Sequence, residues 1–303
     1  KNNHKIRKIV ISSGVVTTLA GSGNSGSTDA TSGTSASFNK PTGITRDGTN
    51  LYVTGSESHK IRKIVISSGV VTTLAGSGNS GSTDGTGTSA SFSNPTGITS
   101  DGTYLYVADQ DNHKIRKIVI SSGVVTTLAG TGSAGSTDAT GTSASFSSPK
   151  NIISEGSYLY VTDRNNHKIR KIVTSSGVVT TLAGTGNSGS SDGTGSSASF
   201  NKPNGLAIAG NSLFVGDMSN NIIRKIVIKE TETAVVSLLN LGDDFPNTPK
   251  IAVSGLMSNS GQLTFKNSEI TLSGGASLTA GSFDVTGTKV IVSDNLTKTG
   301  GTV

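Results

Sequence analysis

Eighteen residues, HKIRKIVISSGVVTTLAG, occur letter for letter at 4–21, 59–76 and 113–130, and again at 167–184 with the single change to Thr174. The arginines of these copies and of a weaker fifth, Arg7, Arg62, Arg116, Arg170 and Arg224, are spaced 55, 54, 54 and 54 residues apart. A period of that length means stacked supersecondary units, each too small to bury its apolar face alone. The 303 residues are therefore divided by the repeat rather than by a length rule.

Within one copy, 94–130, four short strand-like runs follow each other. They are 97–100 after a proline, YLYVAD at 104–109, KIRKIVI at 114–120 and VVTTLA at 124–129. Asp101-Gly102 and Ser122-Gly123 between them are hairpin signals, because glycine adopts positive φ without steric cost. Four antiparallel strands per repeat make one blade of an all-β propeller. KIRKIVI keeps little polar-apolar alternation, as expected of a sheet covered on both faces.

Three strings carry a family resemblance: F-x-x-P-x-G-I at 92–98, D-G-x-x-L-Y-V-A-D at 101–109 and N-H-K-I-R-K-I at 112–118. They resemble NHL repeats, whose family fold is a β-propeller, over roughly 1–241. The resemblance implies the fold; the family includes scaffolds, binding modules and a few enzymes, so function has to come from the site.

The expected organisation is a propeller over 1–245 of about five four-stranded blades. Complete blades fall at 41–76, 95–130, 149–184 and 203–241, with a half blade at 1–21. Residues 246–303 form a C-terminal β segment. Within it, 245–265 mimics the first two strands of a blade and is expected to close the ring with the N-terminal half, while the strands after Ser268 mediate assembly or dock elsewhere. The chain begins at Lys1 inside a repeat, without Met, as expected of a processed or trimmed chain.

Composition narrows the function classes. Cysteine is absent, which excludes disulfides, thiolate zinc sites and a cysteine nucleophile. No apolar run approaches the roughly 20 residues of a membrane-spanning helix. The charge of +6 suggests nucleic acid only superficially, since 14 of the 25 Lys and Arg lie in the KIRK-type segments and would be spread around a propeller. Nucleic-acid grooves also use aromatic platforms, and aromatics are 4% of this chain. The low-charge, Ser/Thr/Gly-rich surface points to an extracellular or cell-surface protein.

Candidate site residues recur with the repeat. Asp109, Asp163 and Asp217 close one strand, and Arg116, Arg170 and Arg224 lie in the next. They read as buried pairs holding blades together, the alternative being a ring of binding carboxylates. Gly55 replaces the aspartate in the first full blade, where Glu57 is expected to compensate. His4, His59, His113 and His167 sit about a blade width apart, too far to share one metal, and are expected to pair with carboxylates of neighbouring strands. Asp84, Asp138 and Asp192 lie in oxygen-rich linkers and are the weak calcium candidates, each loop offering one carboxylate to a cation that wants six to eight oxygens. The linkers also spell G-x-G-x-x-G, but with no following helix the dinucleotide reading fails.

Each blade opens on an inner strand, with Thr42, Thr96, Lys150 and Asn204 after the proline. No carboxylate pair, histidine cluster or activated nucleophile converges there, so no enzyme and no cofactor are expected. The leading functional reading is a structural propeller that associates with copies of itself through strand edges and C-terminal strands, filaments being one form of that assembly. The alternative is a monomeric module that binds protein or glycan on the long-loop face; a lyase- or hydrolase-type propeller enzyme ranks below both.

Overall fold

The computed structural model describes residues 2–228 and, beyond them, the strands between Lys250 and Lys298. The chain divides into two compact units, 1–227 and 228–303.

The first unit is all-β. Strands β1 (Ile6–Ile9) and β2 (Val16–Ala20) form a two-stranded sheet. Next come β3 (Pro41–Arg46), β4 (Asn50–Gly55), β5 (Lys60–Val65) and β6 (Val71–Ala75), in spatial order 3-4-5-6. A two-residue strand in the linker, β7 (Gly85–Thr86), joins the outer edge of the sheet made by β8 (Pro95–Ser100), β9 (Tyr104–Asp109), β10 (Lys114–Val119) and β11 (Val124–Ala129). The third full sheet holds β12 (Pro149–Glu155), β13 (Tyr158–Asp163), β14 (Lys168–Val173) and β15 (Val179–Ala183). The last is three-stranded among the described residues: β16 (Pro203–Ala209), β17 (Ser212–Asp217) and β18 (Ile222–Val227). The expected blades are therefore present as four antiparallel sheets of a β-propeller, preceded by the half blade.

Both faces of the sheets between the first and the last are lined with buried residues, which explains the weak polar alternation of KIRKIVI. Leu105, Val107, Ile118 and Val125 pack back on the preceding sheet with Tyr52, Ile61 and Ala75. Tyr106, Ala108, Ile115 and Ala129 pack forward on Ile152, Leu159, Val161, Ile172 and Val179. The linker phenylalanines Phe38, Phe92 and Phe146 are fully buried within these joints.

The inner strands β3, β8, β12 and β16 stand beside one another. They come close because glycines lie at the contact: a Cβ on Gly97 would fall 2.7 Å from Asn151 Cα. Pro95 pairs with Asp109, Asp109 with Lys114, and Ile115 with Ala129. Linkers and the bends between second and third strands thus share one face, and short hairpins occupy the other.

In the second unit the strand pairing differs from expectation. Strand β19 (Lys250–Ser254) pairs in parallel with β22 (Glu269–Ser273), which pairs with β25 (Lys289–Val292). Likewise β20 (Met257–Asn259), β23 (Ala276–Leu278) and β26 (Leu296–Lys298) form a parallel sheet, and β21 (Leu263–Thr264) pairs with β24 (Phe283–Asp284). Residues 250–264 therefore do not form the antiparallel half blade expected to close the ring. Their partners lie 19 or 20 residues on, in a second, shorter repeat of coils: KIAVS, EITLS and KVIVS. The flanking parts of 245–265 lie outside the described residues.

Candidate functional site

Every full joint between blades is built on a buried arginine, and β10 shows why. Alternation puts Arg116 on the same face as Ile118, pointing into the joint with the preceding blade, where its side chain has no exposure. A buried guanidinium must be matched by acceptors. Nη1 donates to Asp109 Oδ2 and the Ser91 carbonyl, at 2.8 and 2.9 Å, and Nη2 donates to Asp84 Oδ1 and the Thr83 carbonyl, at 2.7 and 2.9 Å. The Phe92 ring lies under the guanidinium at 5.1 Å. Arg170 repeats the arrangement with Asp163, Asp138 and Phe146, and Arg224 with Asp217, Asp192 and Phe200.

The expected pairs thus meet, but the structure adds a third member from the linker. Asp84 also accepts from the Thr127 hydroxyl and amide, at 3.0 and 3.1 Å. Burial works to raise the Asp84 carboxyl; the Thr127 amide and hydroxyl and the Arg116 guanidinium outweigh it and hold the group low. A carboxylate saturated by cationic and N–H donors is the opposite of a calcium ligand. Among the described residues no group of three or more acidic or histidine side chains converges as metal ligands. Burial pushes the Asp109 and Asp163 carboxyls up, against Asn112 or Asn166, a backbone amide and the arginine.

In the first full blade Glu57 does not stand in for the missing aspartate; it pairs with Lys40. Arg62 keeps Asp29 and the carbonyls of Ser37 and Thr28, and burial pulls its guanidinium below the ordinary value against the effect of Asp29.

The histidines do not find the carboxylate partners expected. Each occupies the left-handed region, with φ of 55° at His113 and His167, and its Nδ1 accepts an amide N–H from the start of the next blade. Asn94 donates to His59, Ser148 to His113 and Lys202 to His167, at 3.2, 3.0 and 3.1 Å. The donors are themselves at positive φ just before a proline, 52° at all three, so the bond holds a strained turn. Burial, with Lys202 alongside, pulls the His167 imidazole down against Asp217.

On the axis, the inner strands line a groove of about 470 Å³. Its polar lining includes Thr42, Thr96, Lys150, Asn151 and Asn204, and among the described residues Lys150 is the ionisable side chain that lines it. The hydroxyls are used structurally: Thr54 donates to the Thr96 carbonyl at 2.6 Å and Thr96 to the Lys150 carbonyl at 2.8 Å. Lys150 Nζ donates to Gln110 Oε1 at 2.7 Å. A second hollow on the long-loop face shares Thr42 and Lys150 with the groove and adds Lys40, Glu57, His59 and Asp111. The groove therefore meets the surface on the side that carries the loops, as a mixed-charge basin.

Comparison with known proteins supplies the family. A chloroplastic protein of Arabidopsis thaliana, Protein SUPPRESSOR OF QUENCHING 1, is 32% identical over 265 residues, which is 82% of this chain and 25% of that protein. NHL repeat-containing protein 2 of Homo sapiens is 33% identical over 180 residues, 54% of this chain and 25% of that protein. The chain is an NHL-repeat β-propeller. The pattern of the LVIVD repeat also matches it at 95–113. Among solved structures, an auxiliary nutrient binding protein from Bacteroides thetaiotaomicron superposes with a TM-score of 0.56 at 20% identity, covering 74% of this chain and 53% of that one. A propeller in the nidogen/laminin complex gives 0.51 at 17%, covering 74% and 68%. At such identities these likenesses speak for the fold alone. This NHL-repeat propeller spans about a quarter of the length of the curated relatives it matches.

Proposed function

We propose that the chain is a non-enzymatic binding module that acts outside the cytoplasm, at the cell surface or beyond it, and holds a polar partner, protein or glycan, on its long-loop face. The observation that carries this reading is the axial groove opening into the basin of Lys40, Glu57, His59 and Asp111. Its lining offers hydroxyl, amide and ammonium groups with no acid-base pair, which suits recognition rather than bond cleavage. Screening the protein against immobilised glycans and measuring any hit by calorimetry tests the reading. Lys150→Ala and Asn204→Ala should each weaken that binding at least tenfold, and unchanged affinity in both would remove the groove as the site.

A second reading, association with copies of the chain, is favoured by apolar residues that are exposed, among the described residues, on the first and last sheets. Ile223 is 73% exposed, although its counterparts Ile61, Ile115 and Ile169 are completely buried. Light scattering decides between monomer and assembly. Ile223→Arg should lower the mass if this face joins copies, and an assembly unaffected by it would send attention to the C-terminal strands.

A further inference from the structure

The first two strands present the receiving half of a joint without its other half. At each of the four following blades the preceding linker contributes the first two of three things, and at three of them the third is also described. An aspartate takes the arginine Nη2, a phenylalanine eight or nine residues later lies under the guanidinium, and a stretch between them pairs with the blade's outer strand. The aspartate and phenylalanine pairs are Asp29 and Phe38, Asp84 and Phe92, Asp138 and Phe146, and Asp192 and Phe200. The strand pairing is seen at Gly85–Thr86 with Val124 and Val125, at Ala30 with Val71, and at Thr140 with Val178.

The N-terminal sheet carries the same receiving groups, and among the described residues they are unfilled. Arg7 is exposed and donates only to the Thr17 carbonyl of its own hairpin, at 3.4 Å. Ile9 and Val16 are 61% and 46% exposed, whereas the equivalent Ile118 and Val125 are 0% and 1%. Strand β2 has β1 on one side and no strand on the other.

We infer that residues 5–20 are a docking site for an extended peptide of the linker type, one carrying a carboxylate eight or nine residues ahead of a phenylalanine. The carboxylate meets Arg7 and the Thr18 hydroxyl, counterpart of Thr127. The phenyl ring covers the guanidinium and Ile9. The backbone between them adds to the open edge of β2, as in strand addition generally. Charge and ring are matched because their partners occur together at four more joints in the same chain, and the edge pairing is described at three of them. The inference holds whichever face carries the function proposed above.

The test places residues 80–94, SGSTDGTGTSASFSN, ahead of Lys1 of the full chain through a flexible Gly/Ser tether, which presents the peptide at an effective concentration on the order of millimolar. Nuclear magnetic resonance follows the amides of β1 and β2 and the Arg7 side-chain N–H. Amide exchange at Val16 and Thr17 should slow at least tenfold, and the Arg7 signal should shift. Aspartate-to-alanine or phenylalanine-to-alanine changes in the tethered segment, or Arg7→Ala in the exposed receiving site, should each return exchange to that of the untethered chain. Exchange that does not slow, or slows equally with all three variants, overturns the inference. The same peptide added in trans, displaced by excess unlabelled protein, reports whether free copies supply such segments.

Discussion

The arginine clasp shows how one residue turns a stack of small sheets into a specific structure. Stripping one partner from a buried ion pair typically costs about 3–5 kcal/mol, since the other charge stays buried. Asp109→Ala should therefore lower stability by about 3 kcal/mol, read as a shift of the urea midpoint, with Asp84 limiting the loss. Blade one offers the converse. A Cβ on Gly55 would collide with the Ser58 hydroxyl unless that hydroxyl turned away from the Gly55 carbonyl, and Ser58 stands where the other blades have Asn112, Asn166 and Asn220. The pair Gly55→Asp with Ser58→Asn should restore the second carboxylate to Arg62 and raise the midpoint, whereas Gly55→Asp alone should lower it. His167 adds a pH dependence. Nδ1 accepts a hydrogen bond, so protonation there breaks it, and the folded His167 holds its proton less readily than an unfolded histidine does. Its contribution to stability is complete above about pH 6.5 and is lost as pH falls through that range. Urea midpoints at pH 7.5 and 5 should differ, and His167→Asn, the residue found at the equivalent Asn221, should flatten that difference.

At the scale of strands and linkers, close approach of the inner strands decides where substitutions are tolerated. Gly97→Ala would push a Cβ against Asn151 Cα and the Ile152 amide, both backbone, so it should cost several kcal/mol as an overpacking and strain effect, on the order of 1–3 or more. Gly205 is the same repeat position in the last described blade, and among the described residues no atom lies within 4 Å of its Cβ direction. Gly205→Ala should be close to neutral. Chemical denaturation of the two variants checks the contrast. These strands were legible from turn dipeptides and the period alone, because a hairpin is a local structure. The linker's role was only half legible. Phe92 stands at a fixed place in the F-x-x-P-x-G-I string before its blade, but Asp84 looked like a loop carboxylate open to a cation. Its fixed distance of 32 residues ahead of Arg116, repeated as 32 or 33 in the other copies, was the signal that could have identified the third member of the clasp.

For the whole molecule, a row of near-identical blades behaves as a chain of nearest-neighbour joints, so damage at one joint should stay local. Phe146→Ala should cost about 3–5 kcal/mol at its own joint, and hydrogen exchange should rise at 105–110 and 150–183 while 50–75 stays protected. The repeat period, the blade order, the face that carries the loops and the family resemblance all followed from sequence, because each depends on spacing along the chain. Three matters belonged to tertiary structure: the amide partners of the histidines, the linker aspartates' engagement of arginines, and the parallel pairing of the strands after Lys250. Each joins groups tens of residues apart, where local pattern names the pieces and only the packed neighbours decide which donor meets which acceptor.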